Sequence, residues 1–271
     1  MDYILYFLLF CMGATFGSFF TLAVHRIPLR EDITHTRSYC PKCNHKLGFW
    51  DMIPILSYTF LGGRCRYCKT TIRARYILLE ILSGILFVFF ALSIKFSLYT
   101  MNIPSISYII MGIIYISTLV IIAGIDKEKI KVEKPVLLFG FICIAIYMIY
   151  LYIVEKNLSI YRYVIYLILV CALTIMDTIY LRKKAKTNYT IDVLLLSLYM
   201  IMFSYEIIYI WTVIITLFAI AIQLFIRGFK SKKSKYVKTK SKFDAKIPIA
   251  FYLCVSNILM LIVNNIFVFY G

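Results

Sequence analysis

Two cysteine pairs carry the most specific chemistry in this chain of 271 residues: Cys40-Pro-Lys-Cys43 and Cys65-Arg-Tyr-Cys68, with 21 residues between them. A Cys-x-x-Cys knuckle turns both sulfurs toward one point, and two knuckles at this separation suit tetrahedral thiolate coordination of zinc. Paired disulfides are the competing reading, and the compartment decides between them, because a reducing cytosol keeps thiols free. The segment between the knuckles holds Trp50, Ile53, Ile55, Leu56 and Phe60. It is too apolar for a free tether and is expected to pack on the membrane surface or on the knuckles. A segment of about fifty residues makes a small core, so a bound metal would supply much of its folding free energy. Cys11, Cys143, Cys171 and Cys254 are single residues in apolar runs and read as small core residues.

The elements that must hold this loop are dictated by composition. With 62% hydrophobic and 16% charged residues, the chain is too apolar for a water-exposed surface, and the bilayer must be its main solvent. The excess of 30 Lys+Arg over 13 Asp+Glu lies in the gaps between apolar runs. That excludes a nucleic-acid binder, which needs a basic patch on a soluble fold. A spanning helix takes about 20 mostly apolar residues. Eight runs qualify, at 3–24, 76–95, 103–125, 135–154, 160–181, 191–205, 207–227 and 247–269, the sixth and seventh divided only by Tyr205 and Glu206, which in the alternative lie within a bent helical hairpin. The expectation is an all-α polytopic membrane protein with a small zinc-binding cytoplasmic domain between the first two helices. Its parts are a first helix at 1–24, the four-cysteine domain at 25–75 and a membrane-embedded domain at 76–271.

Orientation follows from the basic residues, since Lys and Arg in short loops stay cytoplasmic. Segments 25–75, 126–134, 182–190 and 227–246 carry 27 of the 30, leaving Lys95, Lys156 and Arg162. Those segments are every second connection of an eight-span chain, which puts them on the cytoplasmic face and both termini on the other. The lysine run 230–242 reads as a topology signal, with anionic lipid head groups as its next role.

The stretch from Gly13 to Arg75 resembles the opening of the type IV prepilin peptidases, membrane enzymes that trim and N-methylate type IV pilins and pseudopilins. GATFGSFFTLAVHRIP (13–28) resembles the family's GSF-x-N-V-x-x-x-R-x-P, with Thr21 in place of Asn. CPKCNHKLGFWDMIPILSY (40–58) and GRCRYCKTTIRARYILLE (63–80) resemble its cysteine-loop consensus. The late segment KIPIAFYL (246–253) is similar to the start of the family's last span, without its glycine or second proline.

What the resemblance implies is an aspartic peptidase at the cytoplasmic face of a bacterial inner membrane, with two catalytic aspartates at helix ends. The first motif, A-x-I-D, matches Ala123-Gly124-Ile125-Asp126. The second, G-x-G-D-x-K, falls on Tyr189-Thr190-Ile191-Asp192-Val193-Leu194, where the aspartate is present and the glycines and lysine are not. Asp177 is the rival second carboxylate, and Asp244 a weaker one. Glu80 matches the family's R-Y-x-x-x-E glutamate and is a substrate-binding candidate or one half of a structural pair. Gly13, Gly17 and Ser18 form a small-residue face read as helix packing.

Two neighbouring carboxylates cannot both ionise cheaply, so a pair holds one shared proton. The ionised member can deprotonate a water and the protonated one can donate to the peptide carbonyl. The resemblance implies type IV prepilins or pseudopilins as partners and S-adenosylmethionine as methyl donor, although no nucleotide-binding fingerprint is present. The missing glycines favour the alternative of a catalytically degenerate relative that binds pilins or assists assembly. A small-solute transporter is disfavoured by spans with few charges and little Pro/Gly interruption.

Overall fold

A computed structural model of the protein describes residues 2–33, 38–155, 160–184, 188–233 and 247–270. Asp244 and most of the lysine run 230–242 lie outside the described residues. The helices are α1 (Asp2–Arg26), the short α2 (Leu56–Phe60), α3 (Arg75–Ser93), α4 (Ile103–Lys129), α5 (Lys134–Glu155), α6 (Ile160–Lys184), α7 (Tyr189–Lys233) and α8 (Ile249–Tyr270). Among the described residues there is no strand, only isolated bridges from Tyr39 to Lys46 and from Arg64 to Thr71. The chain divides into two compact units, Met1–Ile113 with Asn265–Gly271, and Ile114–Asn264.

In the first unit, α1 and α3 approach until backbone touches backbone. A Cβ on Gly13 would stand 2.6 Å from the Ser83 carbonyl oxygen, and one on Gly17 would stand 2.7 Å from the Glu80 Cα. The small-residue face is therefore a packing surface, as expected, and only glycine allows that spacing. The chain end returns to this unit, where Asn265 accepts from Tyr108 and Tyr270 donates to the Leu92 carbonyl. Lys95, basic yet outside the four basic segments, lies 4.2 Å from the Tyr270 ring centroid.

The second unit turns much apolar surface outward. On α5, Leu138 and Ile146 are each 62% exposed, while Leu137 and Ile144 are buried. Such a helix is stable only where its surroundings are as apolar as its outer face, which is the membrane condition. Cys11 and Cys171 belong to such outward faces and are exposed, not core residues as expected; Cys254 is buried. A thiol is small and weakly polar enough for either position.

Seven described helices are long and apolar enough to cross a bilayer, against eight expected spans. The difference lies in α7, where the sixth and seventh expected spans form one helical stretch with non-helical Tyr205 (φ 64, ψ 161) inside it. Asn257 Nδ2 donates to Ser204 Oγ and to Thr212 Oγ1, each at 3.2 Å. Eight residues of unbroken helix would separate those groups by about 12 Å, beyond the reach of one nitrogen. α7 therefore folds back at Tyr205 into two arms. Arg162, another basic residue outside the basic segments, pairs with Glu206 at that bend at 3.0 Å.

Candidate functional site

The cysteine knuckles are two copies of one local structure. In each, the first cysteine's N–H donates to the carbonyl five residues on, and its carbonyl accepts the N–H four residues on. The residue at that fourth place, Asn44 or Lys69, has positive φ, which closes the turn beneath the sulfurs. The four sulfurs lie within 4.8 Å of one another, and Cys40 Sγ and Cys68 Sγ are 3.8 Å apart. That is about the edge of a tetrahedron built on 2.3 Å zinc–sulfur bonds, and far longer than the roughly 2.05 Å of a disulfide. The competing disulfide arrangement is absent among these residues, whose thiols are all free.

Thiol chemistry fits a cation. Burial opposes charge on Cys40, but the N–H groups of Cys43 and Lys42 outweigh it and hold the thiol at about 7. At Cys68 the Thr70 amide lowers the value, yet burial and the other three sulfurs push it up to about 11. One thiolate forms readily and four do not without a cation among them. Cys40, Cys43, Cys65 and Cys68 can thus hold a metal ion.

Asp51 braces the second knuckle. Burial alone would raise its carboxyl, but bonds from Arg66 Nε at 2.6 Å, the Gly48 N–H at 3.1 Å and Tyr67 Oη at 3.2 Å hold it below the usual range. The His45 and Tyr67 ring centroids lie 3.6 Å apart with the planes tilted by 34°, a contact that joins the two knuckles. Trp50 and Phe60 are 72% and 85% exposed, so they do not pack on the knuckles, and only the membrane surface remains of that expectation. Glu80 is buried in α3, where Oε2 accepts the Ile55 N–H at 2.8 Å and the side chain also bonds Ser18. Ile55 is a tight turn at φ 64, across which the Leu56 N–H reaches the Pro54 carbonyl. That is the strained form of the three-residue turn, and Glu80 is the anchor that holds it to α1 and α3.

The aspartates of the second unit lie where helices end. Asp126 is in the last turn of α4, an unfavourable place for a carboxylate beside the negative pole of the helix. The positive pole of α8 compensates: the Phe251 N–H donates to Asp126 Oδ2 at 2.8 Å. Tyr189 Oη donates to Asp126 Oδ1 at 2.9 Å and accepts the Ala250 N–H at 3.1 Å. Lys127 lies 4.9 Å from the Phe251 ring centroid, fastening the same two helix ends.

Asn188 sets the start of α7 by accepting the Thr190 N–H on its side chain. Tyr189 and Asp192 are then three residues apart in the first turn and share one face of the helix. Asp192 is 1% exposed and Asp126 0%. Lys134, in the first turn of α5, contacts Asp177 Oδ2 and lies 3.9 Å from Asp192 Oδ1. Asp177 is therefore ion-paired near the end of α6. Asp192 Oδ1 is buried without a hydrogen-bond partner among the described residues, an acceptor position open to a further donor.

Tyr189, Lys134 and the α8 amides were not singled out from the sequence. The Asn188 cap signalled where α7 begins and hence which residues share the Asp192 face. Nothing local signalled that α8 would present its amides to Asp126.

Fold and site together define a multi-pass α-helical membrane protein with four cysteines that could hold a metal ion and with buried aspartates near helix ends. A family model described as Bacterial Peptidase A24 N-terminal domain matches residues 11–94. A prepilin leader peptidase/N-methyltransferase of Myxococcus xanthus (strain DK1622) is 44% identical over 79 residues, covering 29% of this chain and 24% of that protein. The protein of the same name from Klebsiella pneumoniae is 36% identical over 126 residues, 44% of this chain and 51% of that one. The one from Bacillus subtilis (strain 168) is 33% identical over 132 residues, 49% and 50% respectively. By these matches residues 11–94 are similar to the N-terminal domain of bacterial A24 peptidases, and the chain spans between about a quarter and a half of the length of these relatives. No solved structure matches it significantly.

Proposed function

We propose that this protein is a membrane aspartic endopeptidase that removes the basic leader from type IV prepilins or pseudopilins, with Asp126 and Asp192 as the catalytic pair. The observation that carries the reading is the meeting of helix ends at Asp126. Tyr189, three residues before Asp192 on the same helix face, bonds Asp126 directly, and both carboxylates are buried. The open acceptor on Asp192 suits a water, which one carboxylate deprotonates while the other donates to the scissile carbonyl. Asp177 serves as the partner of Lys134, whose ammonium offsets carboxylate charge beside Asp192.

The helix ends around Asp126 adjoin the basic segments 126–134, 182–190 and 227–246, so the pair faces the cytoplasm of a bacterial inner membrane. A substrate cut where a basic leader meets an apolar helix presents its scissile bond at that depth. Zinc in the cysteine cluster organises the loop 25–75, and Glu80 anchors that loop. N-methylation is proposed in line with the relatives' names, with S-adenosylmethionine as methyl donor on the family resemblance alone.

The test is co-expression with a prepilin and mass spectrometry of the pilin's N-terminus. A shortened chain is expected, and an added methyl group would reveal the second activity. An unaltered leader would contradict the reading. The second reading, a silent pilin-binding relative, is favoured by Tyr189 and Ile191 at the motif's glycine positions, and predicts co-purification of uncut prepilin.

A further inference from the structure

The hydrogen bonds around Asp126 form a closed ring. The carboxylate accepts the Phe251 N–H on Oδ2 and the Tyr189 hydroxyl on Oδ1, and that hydroxyl accepts the N–H of Ala250, the residue preceding Phe251. Each bond lies between 2.8 and 3.1 Å. Both Asp126 and Ala250 are 0% exposed, so water does not replace a lost member of the ring.

We propose that Tyr189 is a positioning residue for Asp126: its hydroxyl fixes the rotation of the Asp126 carboxylate and ties the first turn of α7 to the first turn of α8. A carboxylate held by one donor can swing about its Cβ–Cγ bond, whereas donors on both oxygens leave one orientation. Proton transfer falls steeply with misorientation, so a group that never touches substrate can still set the rate. The same phenol sets where the start of α7, and with it Asp192, stands relative to Asp126.

The catalytic consequence rests on the peptidase reading, but the ring does not, and the test separates them. Tyr189→Phe keeps the ring volume and removes only the hydroxyl, leaving the Ala250 N–H and Asp126 Oδ1 without that bond. Leader removal by the purified variant should show kcat lowered about 10- to 100-fold with KM within about twofold. The carboxyl infrared bands of Asp126, isolated as the difference from Asp126→Asn, should shift between the unaltered protein and Tyr189→Phe. Unchanged kcat together with unchanged bands would overturn the proposal. A raised KM at constant kcat would also overturn it, by making Tyr189 a substrate contact. Shifted bands in a protein that removes no leader would uphold the positioning role and remove the peptidase reading.

Discussion

Around the cysteines, every group that matters comes from a short stretch: the sulfurs, Asp51, Arg66, Tyr67 and His45 all lie between Cys40 and Cys68. Around Asp126 the corresponding groups come from three helix ends, those of α4, α7 and α8, while Asp192 on α7 is met by Lys134 of α5, which also holds Asp177 of α6. The first arrangement is assembled by local turns that bring four sulfurs within reach of one ion, and its spacing survives as a readable motif. The second is assembled by topology, so only its endpoints appear in sequence. The family model follows this division, covering residues 11–94, which include Cys40, Cys43, Cys65 and Cys68 and none of the aspartates 126, 177 or 192.

The contrast can be broken most forcefully at the metal. Cys65→Ser, or chelation of the unaltered protein, should abolish zinc content and unfold the loop, since structural zinc contributes on the order of 10 kcal/mol in small metal domains. Elemental analysis with limited proteolysis of residues 25–75 measures both. A loop that stays protected without metal would mean that Asp51 and the Tyr67–His45 ring contact suffice.

Gly17→Leu should cost about 3 kcal/mol, because its Cβ meets the Glu80 Cα at 2.7 Å and backbone cannot step aside cheaply. Thermal melting in detergent reads that loss. In the second unit, Lys134→Met strands Asp177 and Asp192, but Lys134 is 38% exposed, so the expected cost is about 2 kcal/mol, less than for a fully buried pair. Asp177→Asn in the same chain should recover part of it.

The smallest effect is that of Asp51. Its carboxyl is held below the usual range in the folded loop, so its contribution is present above the unfolded value of about 4 and is lost as pH falls through the lower folded value. Asp51→Asn should therefore destabilise the loop at neutral pH and make no difference in strong acid, as hydrogen exchange of the Gly48 amide would report.

The legibility of the molecule follows the same division. Apolar runs foretold every described long helix, and Tyr205-Glu206 marked the place where α7 folds back as a bent helical hairpin. The sulfur cluster followed from spacing because a knuckle is a local object. Asp126 and Asp192 were accessible only through resemblance, since a lone carboxylate at a helix exit looks ordinary. Tyr189 and Lys134 stayed hidden because their roles depend on which helix ends meet, a long-range fact that a run of Leu and Ile does not encode. Cys11 and Cys171 were misassigned for a related reason: in a bilayer the outward face of a helix is as apolar as its inward one.

The most direct test of the proposed pairing of Asp126 with Asp192 is N-terminal mass spectrometry of a co-expressed prepilin with Asp126→Asn, Asp192→Asn and Asp177→Asn side by side. Intact leader with the first two variants and trimmed pilin with the third is the expected result. Trimming that persists with Asp126→Asn or Asp192→Asn, or that stops only with Asp177→Asn, would contradict the account.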